Sequence, residues 1–237
     1  MLGVIAAVPT PIDNNGEPII ETFLSHCSWV LQNGCNGINI LGSTGEASSL
    51  NSDQRKKIMA STSTKIDKDK LMVGTGTPSL SESVNLTQTA SDLGYKVALV
   101  LPPFYYKPLG DEGLFHWYKA LHDKLGDRKI KIYFYNFPQM TGIVIPIKVI
   151  SELNKQWPNR FAGIKDSSGD LNYCRALSKN THFKVFPSSE VSISEAYSSN
   201  FAGCISATVN QTSFLAAQAW ANKDQNIDNL ILQMTKL

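Results

Sequence analysis

Eight short apolar runs, each followed by a longer stretch with helical spacing, recur along the 237 residues and restrict the available folds more than any other feature of the chain. The runs are Gly3 to Val8, Gly37 to Leu41, Leu71 to Gly74, Val97 to Leu101, Ile130 to Tyr135, Phe161 to Lys165, Lys184 to Pro187 and Gly203 to Ala207. The helical stretches are Ile20 to Gln32, Asn51 to Thr64, Ser79 to Leu93, Glu112 to Leu125, Ile147 to Asn154, Leu171 to Ser178, Val191 to Ser199 and Thr212 to Asn222. Start signals such as Asn51-Ser52-Asp53 place side-chain oxygens where free helix N–H groups need acceptors. Strands separated by helices run parallel, with right-handed crossovers. Eight such units predict an α/β fold, a (β/α)8 TIM barrel, with an open doubly wound sheet as the alternative.

No low-complexity tract or charged linker divides the chain, so residues 1–223 read as one barrel domain and 224–237 as the start of a C-terminal helical segment that stops early. The 22 basic and 20 acidic side chains form no long block, so neither nucleic acid nor an anionic membrane is an expected partner. Cys27, Cys35, Cys174 and Cys204 contain no CxxC pair and suggest neither a thiolate metal site nor a disulfide framework. His26, His116, His122 and His182 lack metal-ligand spacing, and the glycines form no dinucleotide or P-loop pattern. The N-terminus, MLGVIAAVPTPIDNNGE, reads as a buried strand running into a turn rather than as a signal peptide. A small-molecule partner, a cytoplasmic setting and no cofactor or metal are the expectations.

In a barrel the C-terminal strand ends face the active site, and four stretches sit there. Gly42-Ser43-Thr44-Gly45-Glu46 gathers hydroxyls and backbone N–H groups in a tight turn, which suits a carboxylate or simply reverses the chain. Pro102 to Pro108 is a proline-stiffened loop whose Phe104, Tyr105 and Tyr106 suit either a subunit interface or a site. Along Tyr133-Phe134-Tyr135 the alternation sends both tyrosines to one side, and a tyrosine at a strand end is core filler or a proton carrier. Lys165 ends the sixth run. Buried, its amine is expected to favour the neutral, nucleophilic form; exposed, it pairs with Asp166.

These stretches together resemble the dihydrodipicolinate synthase/N-acetylneuraminate lyase family. GSTGE at Gly42 to Glu46, GTG at Gly74 to Gly76, PPFYY at Pro102 to Tyr106, YNFP at Tyr135 to Pro138 and GIKDSSG at Gly163 to Gly169 stand in that family's order and spacing, and the likeness runs from about Gly3 to about Asn222. The resemblance implies class I aldolase chemistry. Lys165 would form a Schiff base with pyruvate, or with a 2-oxo acid that releases it, and Tyr135 would shuttle protons. Ser43 and Tyr105 would complete a hydroxyl relay, Tyr105 crossing from a neighbouring subunit, so a homo-oligomer, dimer or tetramer, is implied. Ser43 and Thr44 would cradle the pyruvate carboxylate, and the backbone carbonyl of Ile205 would lie near the lysine.

Departures from the family pattern bear on the subtype. Where the synthases carry an arginine for the carboxylate of aspartate semialdehyde, this chain has Met140, which offers no bidentate fork. Phe104 and Pro78 replace a usual tyrosine and a usual asparagine of the lysine-inhibition pocket, and the family's C-terminal helical extension is largely missing. The stretch Tyr135 to Gly142 is closer to 2-keto-3-deoxygluconate-type aldolases, with polyol contacts expected from Ser167, Ser188, Ser189, Glu190 and Asn210, residues that also read as caps and loop hydroxyls. The leading reading is a pyruvate lyase acting on a 2-keto-3-deoxy sugar acid. The alternatives are 4-hydroxy-tetrahydrodipicolinate synthase, a dehydratase or sialic-acid lyase using the same imine, and a non-catalytic barrel that binds a 2-oxo acid.

Overall fold

The computed structural model describes residues 1–236. Eight parallel strands follow one another around a barrel: β1 (Gly3–Ala7), β2 (Gly37–Ile40), β3 (Leu71–Gly74), β4 (Val97–Val100), β5 (Lys131–Asn136), β6 (Phe161–Asp166), β7 (Lys184–Pro187) and β8 (Gly203–Ser206). Each lies beside its sequence neighbour, and β1 also pairs with β8. The ring closes where Ala202 N–H donates to Val185 O at 2.8 Å beside β7. The (β/α)8 barrel expected from the eightfold rhythm is therefore the fold.

Alternation divides the strands between two cores. Val4, Ile38, Val73, Ala98, Phe134 and Val185 point outward into the layer shared with the helices. Ile5, Met72, Leu99, Tyr133, Tyr135 and Ile205 point inward and fill the barrel. β6 departs from strict alternation. Phe161 pairs with Ile132 but Gly163 with Tyr133, so Ala162 is an extra residue forming a bulge. Phe161 and Ile164 face outward and Ala162 inward, and a Cβ on Gly163 would lie 2.9 Å from the Tyr133 ring, so Gly163 faces inward too. The extra residue shifts the parity of everything after it. Lys165 consequently turns into the barrel, whereas four regular residues after Phe161 it would have pointed out.

The helices are α1 (Ile20–Gln32), α2 (Ser52–Lys65), α3 (Leu80–Asp92), α4 (Asp111–Leu125), the one-turn α5 (Pro138–Thr141), α6 (Ile147–Gln156), α7 (Leu171–Ser178), α8 (Val209–Ala221) and α9 (Asp228–Met234). α2 begins as expected: Asn51 and Gln54 cap each other's backbone N–H groups in a capping box. α4 buries Leu114, Tyr118, Leu121 and Leu125 at helical spacing against the barrel wall, with the Tyr118 hydroxyl donating to Val100 O. The helix expected over Val191 to Ser199 is instead a short 3-10 helix, Glu190–Glu195, followed by turns. Serine hydroxyls explain the difference: Ser192 donates to Ser189 O and Ser194 to Val191 O, competing with a regular ladder. The last barrel helix starts at Val209, ahead of the expected Thr212.

One seam is especially tight. Gly203 adopts φ +142° opposite Gly3, and a Cβ there would collide with the Gly3 backbone. Gly203→Ala is expected to destabilise the barrel by about 3 kcal/mol, from backbone strain plus overpacking at the β1–β8 seam. An unchanged denaturant midpoint would refute this account of the seam.

Candidate active site

At the C-terminal mouth, β5 and β6 present two layers of side chains in register. Tyr135 pairs with Lys165 and Asn136 with Asp166. The first pair points into the barrel. Lys165 is only 4% exposed, and its Nζ lies 4.7 Å from the centroid of the Tyr135 ring. The Tyr135 hydroxyl donates to Ser43 Oγ at 3.3 Å, so amine, phenol and the turn after β2 form one continuous centre. Tyr135 is held by stacking on Phe137, with centroids 5.7 Å apart.

The second pair points outward and holds the first in place. Asn136 Nδ2 donates to Asp166 Oδ1 at 2.7 Å, while Asn136 Oδ1 accepts from Ile145 N–H at 3.0 Å and so anchors the loop after β5. Asp166 Oδ2 accepts from the Ser168 hydroxyl and N–H. Burial raises the Asp166 pKa above the ordinary aspartate value, and the hydrogen bonds from Asn136 and Ser168 oppose that rise. Asp166 thus faces away from Lys165, and the exposed Lys165–Asp166 pair considered from sequence does not occur. No carboxylate lies within ion-pairing distance of Lys165 among the described residues.

The turn Gly42 to Glu46 has the features of an anion nest. Glu46 N–H donates to Ser43 O and Ala47 N–H to Gly42 O, whereas the N–H groups of Ser43, Thr44 and Gly45 have no protein acceptor among the described residues. Leu41 and Glu46, at its two ends, both adopt left-handed φ values, +54° and +50°. Such conformations in non-glycine residues are costly and concentrate at functional sites. Gly74 belongs to the same construction, because a Cβ there would collide with Leu41 O.

Three polar side chains that sequence reading did not single out surround this turn. Thr10 Oγ1, both polar atoms of Asn39 and Arg55 Nε are the buried side-chain atoms without a hydrogen-bond partner among the described residues. Thr10 Oγ1 would lie 3.1 Å from a Cβ on Gly45, and Asn39 Nδ2 2.7 Å from one on Gly42. Arg55 donates to Gly74 O at 3.1 Å, and burial lowers its pKa to about 10. Asn39 had a signal: in Gly-Ile-Asn-Ile the period-two pattern sets it apart from its apolar neighbours.

The other expected site residues are distributed as follows. Thr44 is half-buried in the turn, and Ile205 is fully buried on the inner face of β8. Tyr105 lies apart from Tyr135 and Ser43, 71% exposed on the rim loop and edge-on to Tyr106. That loop is tied to the next by Lys107, which donates to Thr141 O. Met140 stands 69% exposed on α5. Ser167 is half-buried and donates its N–H to Asn136 O, and Ser189 caps the 3-10 helix.

Two of the expected polyol contacts are already engaged within the protein. Glu190 is buried and accepts from Ser206, Thr208 and Thr212 at 2.5, 2.6 and 3.0 Å, which ties the segment after β7 to β8 and α8. Asn210 donates to Ala7 O and Ala207 O and meets His26 through Oδ1. Ser188 and Ser189, with Asp166 and Val191, line a hollow of about 220 Å³ beside the mouth. A larger hollow, about 580 Å³, lies at the opposite end of the barrel near Trp157 and Arg160. It is a structural joint, since Arg160 donates to the carbonyls of Gly126, Arg128 and Ile130. All four cysteines are buried, and burial pushes the Cys27 and Cys35 thiols up to about 12, which leaves them poor nucleophiles.

Fold and site together define a (β/α)8 barrel with an amine–phenol–hydroxyl centre at its C-terminal mouth. The chain belongs to the dihydrodipicolinate synthetase family, whose family model matches residues 1–232. A 4-hydroxy-tetrahydrodipicolinate synthase from Rhodospirillum centenum is 32% identical over 235 residues, covering 94% of this chain and 76% of the relative. A 4-hydroxy-tetrahydrodipicolinate synthase from Pelagibacter ubique, 33% identical over 171 residues, is matched over 72% of this chain and 56% of its own length. A crystal structure of dihydrodipicolinate synthase from Agrobacterium tumefaciens superposes with a TM-score of 0.90 at 25% identity, covering all of this chain and 84% of that one. A 2-keto 3-deoxygluconate aldolase from Picrophilus torridus shares the fold, with a TM-score of 0.88 at 22% identity over 99% of this chain and 83% of that one.

Lys165 sits on the barrel's inner face without an ionic partner among the described residues, so its buried amine is a cost to stability. Lys165→Met, similar in shape and apolar, is expected to raise the melting temperature by a few degrees, about 1 kcal/mol. A fall in melting temperature would show that the amine supports the fold.

Proposed function

We propose that the protein is a pyruvate-dependent lyase that works through a Schiff base on Lys165. The observation that carries this reading is the buried Lys165 amine over the Tyr135 ring, with the Tyr135 hydroxyl donating to Ser43. The amine adds to the C2 ketone of the 2-oxo acid, and the carbinolamine loses water to give an iminium ion. In the cleavage direction, the C4 hydroxyl gives up its proton as the C3–C4 bond breaks. The bonding electrons pass into the iminium, leaving an enamine and releasing an aldehyde. Protonation at C3 and hydrolysis then return pyruvate and the free lysine. In this reading Tyr135 carries the protons, with Ser43 as its relay partner, a role supported by their hydrogen bond, and the N–H groups of Ser43 and Thr44, without a protein acceptor among the described residues, suit the substrate carboxylate.

The aldehyde in this reading is neutral and hydroxylated, so the substrate is a 2-keto-3-deoxy sugar acid. Support comes from Met140 at the rim, where a carboxylate-bearing aldehyde would need a cation. Glu190 and Asn210 drop out of the recognition set because their polar atoms are engaged internally. Tyr105 would complete the relay only from a second copy of the chain, since it stands exposed on the rim of its own barrel. Condensation of pyruvate with aspartate semialdehyde is the second reading, favoured by the relative from Rhodospirillum centenum.

Borohydride reduction in the presence of pyruvate, read by intact mass, is expected to trap one adduct on the wild-type chain and none on Lys165→Ala. An adduct that survives in the variant moves the imine elsewhere, and no adduct in the wild type ends the proposal. Tyr135→Phe is expected to lower kcat by about 10²-fold or more while the protein stays folded. Direct comparison of 2-keto-3-deoxygluconate cleavage with aspartate-semialdehyde condensation decides between the two substrates, and a faster condensation would overturn the sugar-acid assignment.

A further inference from the structure

The unpartnered carboxamide of Asn39 is a feature of the barrel interior that the proposed chemistry does not use. Ile38 and Ile40 belong to the outer core, so Asn39 projects from the inner face of β2. Its register partners on the neighbouring strands are Ala7 and Met72, both apolar members of the inner core. The residue is completely buried and neither polar atom has a partner among the described residues. A carboxamide in that state costs about 1–3 kcal/mol for each unmet group, and an apolar side chain of the same size would avoid the penalty.

The space in front of the amide is kept open by Gly42. A Cβ at that position would lie 2.7 Å from Asn39 Nδ2, and apart from Gly42's chain neighbours no other described atom would come within 4 Å of it. Gly42 is not among the residues with positive φ, so its backbone conformation does not call for glycine. Its missing side chain serves the space above Asn39. That space adjoins Ser43, whose hydroxyl accepts from Tyr135 and whose own N–H is unpaired.

We propose that Asn39 is a substrate-binding residue whose amide donates, from inside the barrel, to the carboxylate of a 2-oxo acid held at the Gly42 to Glu46 turn. This inference rests on the reading of that turn as the carboxylate cradle and does not require the imine. Whichever way the amide is turned, it brings an N–H donor, and a carboxylate accepts several at once. The orphaned state of Asn39 is then the free-enzyme side of a hydrogen bond completed by substrate.

Pyruvate binding by calorimetry, thermal unfolding and borohydride trapping on wild type, Asn39→Leu, Asn39→Ala and Asn39→Asp separate the outcomes. Asn39→Leu is expected to melt higher than wild type yet bind pyruvate about tenfold more weakly or worse, the loss of one hydrogen bond to a charged group. Asn39→Asp is expected to bind more weakly still, since two carboxylates would face each other. Asn39→Ala, which relieves any misfit of leucine, should share the affinity loss. Unchanged pyruvate affinity in Asn39→Ala and Asn39→Leu would overturn the assignment and leave Asn39 a group satisfied by internal water only. Wild type that binds pyruvate in an Asn39-dependent way but traps no adduct would end the imine proposal alone, whereas wild type that binds no pyruvate would end both.

Discussion

The arrangement of the mouth depends on the bulge at Ala162. A strand sends successive side chains to opposite faces, so Phe161 and Lys165 would share a face if β6 were regular. Phe161 packs among the outer aromatic rings, with Phe134 and Tyr118, so a regular β6 would bring the lysine to that same outer layer. The extra residue reverses the parity, bringing Lys165 over Tyr135 while Phe161 stays in place. Gly163 makes the reversal possible, since a side chain there would press on Lys184 O and the Tyr133 ring. The buried amine and its aromatic neighbour are thus aligned by backbone geometry two residues earlier.

The fold was legible because barrel architecture is written in a coarse rhythm. Eight apolar runs and their helical intervals survive errors of a residue or two at each boundary, and most boundaries moved by no more than that. Reading failed after β7, where local chemistry outweighs periodicity. Val191 to Ser199 has the apolar spacing of a helix, but its serines bond nearby carbonyls, and Glu190 is drawn toward Ser206, Thr208 and Thr212 on elements far along the chain. No local pattern announces those partners.

The site was legible in its first layer and obscure in its second. Lys165, Tyr135 and Ser43 could be picked out because each ends or follows an apolar run, and the structure brings all three together. Tyr105 was also visible, yet a single chain leaves it on the rim. Asp166 was read only as a possible partner of Lys165 and Asn136 only as part of a motif, because their importance lies in facing each other across two strands on the outer wall. Arg55 and Thr10 had no signal at all. Their positions under the turn after β2 follow from packing, not from spacing in the chain.

The division of labour between the two faces of β5 and β6 has a consequence for how such a protein can change. The Lys165–Tyr135 pair points inward, the Asn136–Asp166 pair that aligns the strands points outward, and residues on the rim such as Met140 belong to neither. A rim side chain can therefore be replaced without disturbing the strand geometry that aligns Lys165 with Tyr135. The rim can thus vary by single steps while the paired strands beneath it stay fixed.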